Sequence, residues 1–205
     1  MSSPQVEEAL KHYALADQRR SEGNSVGAAA AFSRAISVAG AAGEPKWEAL
    51  FEAELGRMFQ DDYEVDRARP HYGRAIELFR TLDDQAQLGL CLFHLGQVEQ
   101  LAGQSDSALG HFHEALQVLE RVPYSRGEAL TRAALGQLLW TLDRIDEGLT
   151  HLVAALAQLR ECEAPEAEHV KDHTRYWGGR LPRSKYQALV HRATSCPTLR
   201  SLLLD

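Results

Sequence analysis

The sequence has little of several residue types, and each shortage excludes a class of protein. It contains three cysteines among 205 residues, at positions 91, 162 and 196. Their odd number and wide spacing exclude a disulfide scaffold and favour a reducing, cytoplasmic environment. No stretch approaches the roughly 18 apolar residues of a membrane span, and residues 1–8 lack the basic and apolar segments of a leader. We therefore expect a protein with no membrane or export segment.

The sequence also lacks the short motifs that mark common catalytic sites. It has no glycine-rich phosphate loop and no Gly-x-Ser-x-Gly segment. Of its nine histidines, His71, His111 and His151 recur every 40 residues, which places them on the order of 10 Å apart, too far to share one ion. His169 and His173 share a helical face, but zinc binding there needs a third ligand. The sequence predicts no enzyme activity, no cofactor and no metal site.

What the sequence does contain is a 40-residue period that begins at Val6. A leucine followed by a small residue recurs at this interval, as Leu15-Ala16, Leu55-Gly56, Leu95-Gly96 and Leu135-Gly136. Later in each row a small residue, a large apolar residue and an alanine follow at i, i+4 and i+7, first as Ala28, Phe32 and Ala35. That spacing is typical of one face of an α-helix.

Each row is predicted to form a helix, a tight turn and a second helix. Polar turn segments separate the two halves at 22–25, 61–64, 103–106 and 143–146. The loops between rows carry Pro45, Pro123 and Pro165, near the expected helix ends. The small residues allow helix backbones to approach where two helices cross. Because one helix pair cannot bury its apolar face alone, the rows are predicted to stack into a solenoid.

These rows resemble the tetratricopeptide repeat, which has Leu-Gly in its first helix and Ala, an aromatic residue and Ala in its second. The resemblance covers about residues 6–165 and implies an all-α, right-handed α-solenoid. Its four repeats would span about 6–45, 46–85, 86–125 and 126–165. The sequence departs from the family three positions before the leucine of Leu-Gly. There the family's aromatic residue is replaced by His12, Glu52, Leu92 and Arg132.

Residues 166–205 keep the length of a repeat but lose its pattern. We expect helices over 166–177 and 184–194, with a turn at 178–182, that together form a divergent C-terminal cap. The cap holds seven Lys and Arg against four acids, a net charge of +3, whereas residues 1–165 hold 15 against 25, a net charge of −10. The apolar residues of 199–204 suggest self-association through the cap.

The charge distribution bears on the choice of partner. An acidic solenoid repels phosphate backbones, so the sequence favours a basic partner over nucleic acid. The cap offers one basic patch that could contact phosphate, formed by Arg175, Arg180, Arg183 and Lys185. The alternative is that these side chains lie on a solvated face or pair with the acidic repeats.

The resemblance implies that the first helices line a concave groove. Its inward positions would hold Tyr13, Asp17, Arg20, Arg57, Gln60, Phe93, Gln97, Gln100, Gln137 and Trp140. Arg57, Gln97 and Gln137 share one column and could bond a peptide backbone. The aromatic members could instead be packing between repeats. The leading hypothesis is a non-catalytic adaptor that binds a peptide or protein segment in this groove. The second is a peptide-sensing regulator whose basic cap contacts nucleic acid or phosphate.

Overall fold

The computed structural model describes residues 4–122 and 125–204, and this part of the chain is helical throughout, without a β-strand. The helices are α1 (Pro4–Ser21), α2 (Ser25–Ala41), α3 (Pro45–Asp61), α4 (Val65–Thr81), α5 (Gln85–Leu101), α6 (Ser105–Leu119), α7 (Ser125–Thr141), α8 (Ile145–Glu161), α9 (Glu166–Gly178), α10 (Arg183–Ala193) and α11 (Pro197–Leu204). The predicted all-α fold class is confirmed. None of the described helices combines the length and apolar character needed to cross a lipid bilayer.

Seven of the turns up to α9 contain a residue in the left-handed backbone conformation, and these residues are spaced by 20 or 40 positions. They are Gly23, Gly43, Tyr63, Asp83, Gly103, Asp143 and Glu163, with φ between 51° and 74°. This conformation turns the next N–H back onto the preceding helix, as where Glu64 N donates to Phe59 O at 2.8 Å. All four predicted turn segments contain such a residue.

Two of the three loop prolines stand at helix starts. Pro45 is the first residue of α3, and Pro165 directly precedes α9. A proline in the first turn costs no hydrogen bond because the N–H groups there have no partner within the helix. These prolines therefore mark the start of the following helix. The sequence pattern associates them only with the end of the preceding one. Pro123 lies outside the described residues.

The contacts divide the chain into two compact units, Met1–Gln104 and Ser105–Asp205. In the first unit, α1 to α5 each pack against the next helix in order. In the second, α6 packs on α7, α7 on α8, and α8 on both α9 and α10. The boundary falls between the two helices of the third predicted repeat, so the division into four repeats and a cap stays a prediction.

The repeated columns form the buried core of each unit. The second-helix alanines at 28, 35, 68, 75, 108, 115 and 155 are all fully buried. In the second unit, Gly136 and Gly148 lie where α7 and α8 cross. A Cβ on Gly148 would come within 2.7 Å of Gly136 O, and one on Gly136 within 2.8 Å of Gly148 O. The small residues are thus required by the close approach of two backbones, as predicted.

The last 40 residues form three helices rather than a full repeat pair. The two predicted helices are present as α9, which ends one residue later than predicted, at Gly178, and α10, which begins and ends one residue earlier than predicted. A Cβ on Gly178 would overlap the ring of Tyr186, so a small residue again faces a large one. Leu199 and Leu203 of α11 are buried in the core of the second unit. This burial removes most of the apolar surface that suggested self-association, which stays a prediction.

Candidate functional site

The face formed by α3 and α5 brings together four of the predicted groove residues. Arg57 and Gln60 of α3 and Gln97 and Gln100 of α5 are all half-buried. Gln60 Nε2 donates to Gln97 Oε1 at 3.1 Å, although 37 residues separate them in sequence. We call these four residues the amide face. It places two linked amides and a guanidinium where a bound chain could reach them.

Two further side chains, which sequence reasoning missed, hold the amides in place. The Tyr72 hydroxyl donates to Gln60 Oε1 at 2.8 Å. His94 Nδ1 lies 3.2 Å from Gln97 Oε1 and can donate to it. The Tyr72 and His94 rings stack in parallel, with centroids 5.7 Å apart and 6° between their planes. Because these bonds occupy both amide carbonyls, the donors left for a ligand are the N–H groups of Gln97 Nε2 and the second N–H of Gln60 Nε2.

The protonation states of these groups suit their hydrogen bonds. Burial lowers the pKa of His94, and the nearby Arg57 lowers it further, so its imidazole is neutral at pH 7. Burial raises the pKa of Tyr72, which keeps its hydroxyl protonated as a donor. Burial opposes the charge of Arg57, but its hydrogen bond to Glu54 and the negative charges of Glu54 and Asp61 together outweigh this and raise the Arg57 pKa.

The other predicted groove residues of the first unit mainly pack or pair within the protein. Tyr13 stacks on Phe51 with ring centroids 5.4 Å apart. Arg20 Nη2 lies 2.6 Å from Asp17 Oδ1, an exposed pair. Phe93 is 8% exposed, so it has little surface to offer a partner and fits the packing alternative.

In the second unit, Gln137 and Trp140 of α7 lie against α9. The Trp140 ring stacks on Trp177 with centroids 5.1 Å apart, and Gln137 Nε2 lies 3.0 Å from His173 Nδ1. Trp177 follows Gln137 by 40 residues, so extending the column into the divergent row would have found it. Trp140 is half-buried, and its stacking partner belongs to the same unit.

The two histidines of α9 lie close together. The rings of His169 and His173 lie 4.2 Å apart. Within the part of the chain that the structure describes, no third cysteine, histidine or acidic side chain joins them as a ligand set. A zinc site needs at least three protein ligands.

The four residues of the basic patch are exposed on α9, α10 and the turn between them. Lys185 Nζ lies 3.5 Å from Asp146 of α8. The Arg180 guanidinium lies over the Tyr176 ring, 4.3 Å from its centroid. Two of the four charges therefore have partners within the protein, and that of Lys185, which lies beside an acid of α8, fits the alternative of pairing with acidic repeats. Contact with phosphate stays a prediction.

Comparison with known proteins identifies the family. The tetratricopeptide repeat profile matches residues 49–121 and 90–161, which together cover more than half of the chain. The protein belongs to the tetratricopeptide repeat family, as the resemblance of the rows indicated. The family fold is generally a non-catalytic interaction module with protein or peptide partners.

Solved structures with a similar fold extend over nearly the whole chain. The apo form of RapI has a TM-score of 0.79 at 14% identity, over 95% of this chain and 70% of that one. BtubC from P. vanneervenii has a TM-score of 0.73 at 18% identity, over 96% of this chain and 87% of that one. Repeats from a Podosopora anserina protein described as a kinesin light chain have a TM-score of 0.68 at 14% identity, over 98% of this chain and 97% of that one. At these identities the likeness shows the α-solenoid fold alone. A search of curated proteins finds no match.

Proposed function

We propose that this protein is a non-catalytic interaction module that binds a peptide segment of a partner protein on the amide face. The observation that carries the proposal is the bond between Gln60 and Gln97, held from behind by Tyr72 and His94. The family's general use of protein and peptide partners supports the same conclusion.

The arrangement suits recognition of a peptide backbone. The N–H groups left on Gln60 and Gln97 can donate to the C=O groups of an extended chain, and the Gln100 carbonyl can accept from its N–H groups. Because the hydrogen bonds already restrict Gln60 and Gln97, binding would cost less side-chain entropy than it would with free glutamines. Within the described residues, the side-chain amide of Gln100 makes no hydrogen bond and is open to a partner.

A displayed library of random twelve-residue peptides tests the proposal. Peptides selected on the protein should bind the variant carrying Gln97→Ala and Gln100→Ala at least about tenfold more weakly, since each lost bond contributes about 1 kcal/mol or more. The matched control carries Arg74→Ala and Glu77→Ala, which alter exposed side chains of α4. Equal binding by both folded variants would refute the amide face as the site, and failure to select any peptide would refute peptide binding.

A further inference from the structure

An open pocket of 510 Å³ adjoins the amide face at the C-terminal ends of α3 and α5. The pocket is lined by Gln60 and Asp61 of α3, by Tyr63 of the turn after α3, and by Gln97, Gln100 and Leu101 of α5. Its volume lies within the range of about 300–1,000 Å³ that is usual for ligand pockets. It combines amide groups, one carboxylate, an aromatic ring and the half-exposed side chain of Leu101.

Tyr63 has a backbone conformation that disfavours its side chain, and the packing of that side chain does not account for it. Its φ of 59° lies in the left-handed region, which disfavours a side chain with a Cβ. In the same column, Gly23 and Gly103 are glycines, and Asp143 is a small polar residue that tolerates this conformation better than an aromatic residue does. Tyr63 is also 76% exposed, so burial does not compensate for the strained backbone. An aromatic ring held in this conformation at the rim of a pocket points to a ligand that stacks on it.

The electrostatics of the pocket favour a cation. The C-terminal ends of two helices lie at the pocket, and each carries partial negative charge from its last carbonyl groups. Neither α3 nor α5 has a basic residue in its last turn, whereas α1 and α4 do. The surrounding unit, residues 1–104, holds 16 acids against 10 Lys and Arg.

The arginine that pairs with Asp61 does not neutralise the pocket. Arg57 Nη1 lies 3.5 Å from Asp61 Oδ2, but Arg57 also bonds to Glu54. Two carboxylates therefore share one guanidinium, and the three groups together carry a charge of −1. The Asp61 side chain is 61% exposed and can accept a second donor.

We propose that this pocket binds an arginine side chain of the partner peptide. The planar guanidinium would stack on the Tyr63 ring and donate to Asp61 and to the amide carbonyl of Gln100. The aliphatic part of the arginine would lie against Leu101. A lysine ammonium matches this site less well because it cannot stack as a plane and donates from a single point.

This proposal rests on the proposed function, and the same displayed library tests both. Peptides selected on the wild-type protein should be enriched in arginine at one position. Replacing that arginine by citrulline, which keeps the shape and removes the charge, should weaken binding at least tenfold, and lysine should weaken it measurably. Selected peptides without a preferred arginine would overturn the arginine pocket but leave the proposed function intact.

Protein variants separate the pocket from the fold. Tyr63→Gly restores the residue found at positions 23 and 103, so its thermal midpoint should stay unchanged or rise while binding falls at least tenfold. Asp61→Asn should weaken binding similarly, whereas Asp62→Asn, a neighbour outside the pocket lining, should not. In Asp61→Asn the arginine and citrulline peptides should bind almost equally, because the carboxylate that recognises the charge is gone, and in Tyr63→Gly the arginine preference should be reduced. A full arginine preference retained in Tyr63→Gly and in Asp61→Asn would overturn the proposal.

Discussion

At the scale of single residues, this structure depends on positions where only a small or a neutral group fits. Gly148 faces the Gly136 carbonyl at a helix crossing, and His94 lies between the rings of Tyr72 and Phe93. Neither role follows from residue type alone, since Gly110 and His191 lie in helices of the same protein without such neighbours. Gly148 can therefore be compared with Gly110, and His94 with His191.

Gly148→Ala is expected to lower the free energy of unfolding by about 1–3 kcal/mol, because its new methyl group would overlap the Gly136 carbonyl. Gly110→Ala should instead raise it by about 0.5–1 kcal/mol, since no atom lies within 4 Å of the added Cβ and alanine favours the helix. Urea unfolding followed by circular dichroism measures both. Equal effects would contradict the close approach of α7 and α8.

His94 should make stability depend on pH. Burial lowers its pKa below the ordinary 6.5, so the unfolded chain takes up a proton there before the folded chain does. The free energy of unfolding should therefore decrease as the pH falls below about 6.5. His94→Gln should show a smaller decrease between pH 7.5 and 5.5 than wild type does, measured by urea unfolding. The exposed His191→Gln should follow wild type, and an unchanged loss in His94→Gln would refute this origin.

At the scale of helices, ion pairs between neighbouring elements supplement the apolar columns. Arg69 of α4 makes a two-bond contact with the buried Glu99 of α5, at 2.7 and 3.1 Å. Arg74 of α4 reaches Glu48 of α3 at 3.0 Å, but the arginine is more exposed. Two features distinguish the pairs: Glu99 is buried and bound through two bonds, whereas the partly buried Glu48 is bound through one bond to a half-exposed arginine. A buried carboxylate that loses a bidentate cation is costly, and loss of a half-exposed pair is less so.

Arg69→Ala should therefore destabilise the protein by about 2–4 kcal/mol, since Glu99 would lose its bidentate cation in a buried setting. Arg74→Ala should cost at most about 1 kcal/mol. Thermal and urea unfolding of the two variants at one ionic strength compares them directly. A loss in Arg74→Ala as large as that in Arg69→Ala would contradict the assigned importance of burial.

The helices were predictable from the sequence because their packing positions repeat, whereas the site residues do not. Arg57 and Gln97 could be found by their shared column, and Trp177 lies one further step along it. His94 could not be found in this way, because the residues 40 positions before and after it are Glu54 and Ala134. Tyr63 could not either, because the corresponding residues are Gly23 and Gly103. Packing between helices constrains a column to repeat, but contact with a partner does not.

At the scale of the whole molecule, the acidic charge is unevenly distributed between the two units. Residues 1–104 carry a net charge of −6, and residues 105–205 carry −1. The amide face and the proposed arginine pocket both lie in the more acidic unit. A basic peptide would be attracted to that unit, and increasing salt would weaken its binding by screening.

The central claim is that a partner peptide binds on the face of α3 and α5. Heteronuclear NMR of the side-chain amides during titration with a library-selected peptide tests it most directly. We expect saturable shifts of the Gln60, Gln97 and Gln100 amide signals, with Gln5 and Gln18 of α1 unchanged as internal controls. Saturable binding of the peptide that leaves these three α3 and α5 amides unshifted would contradict the account.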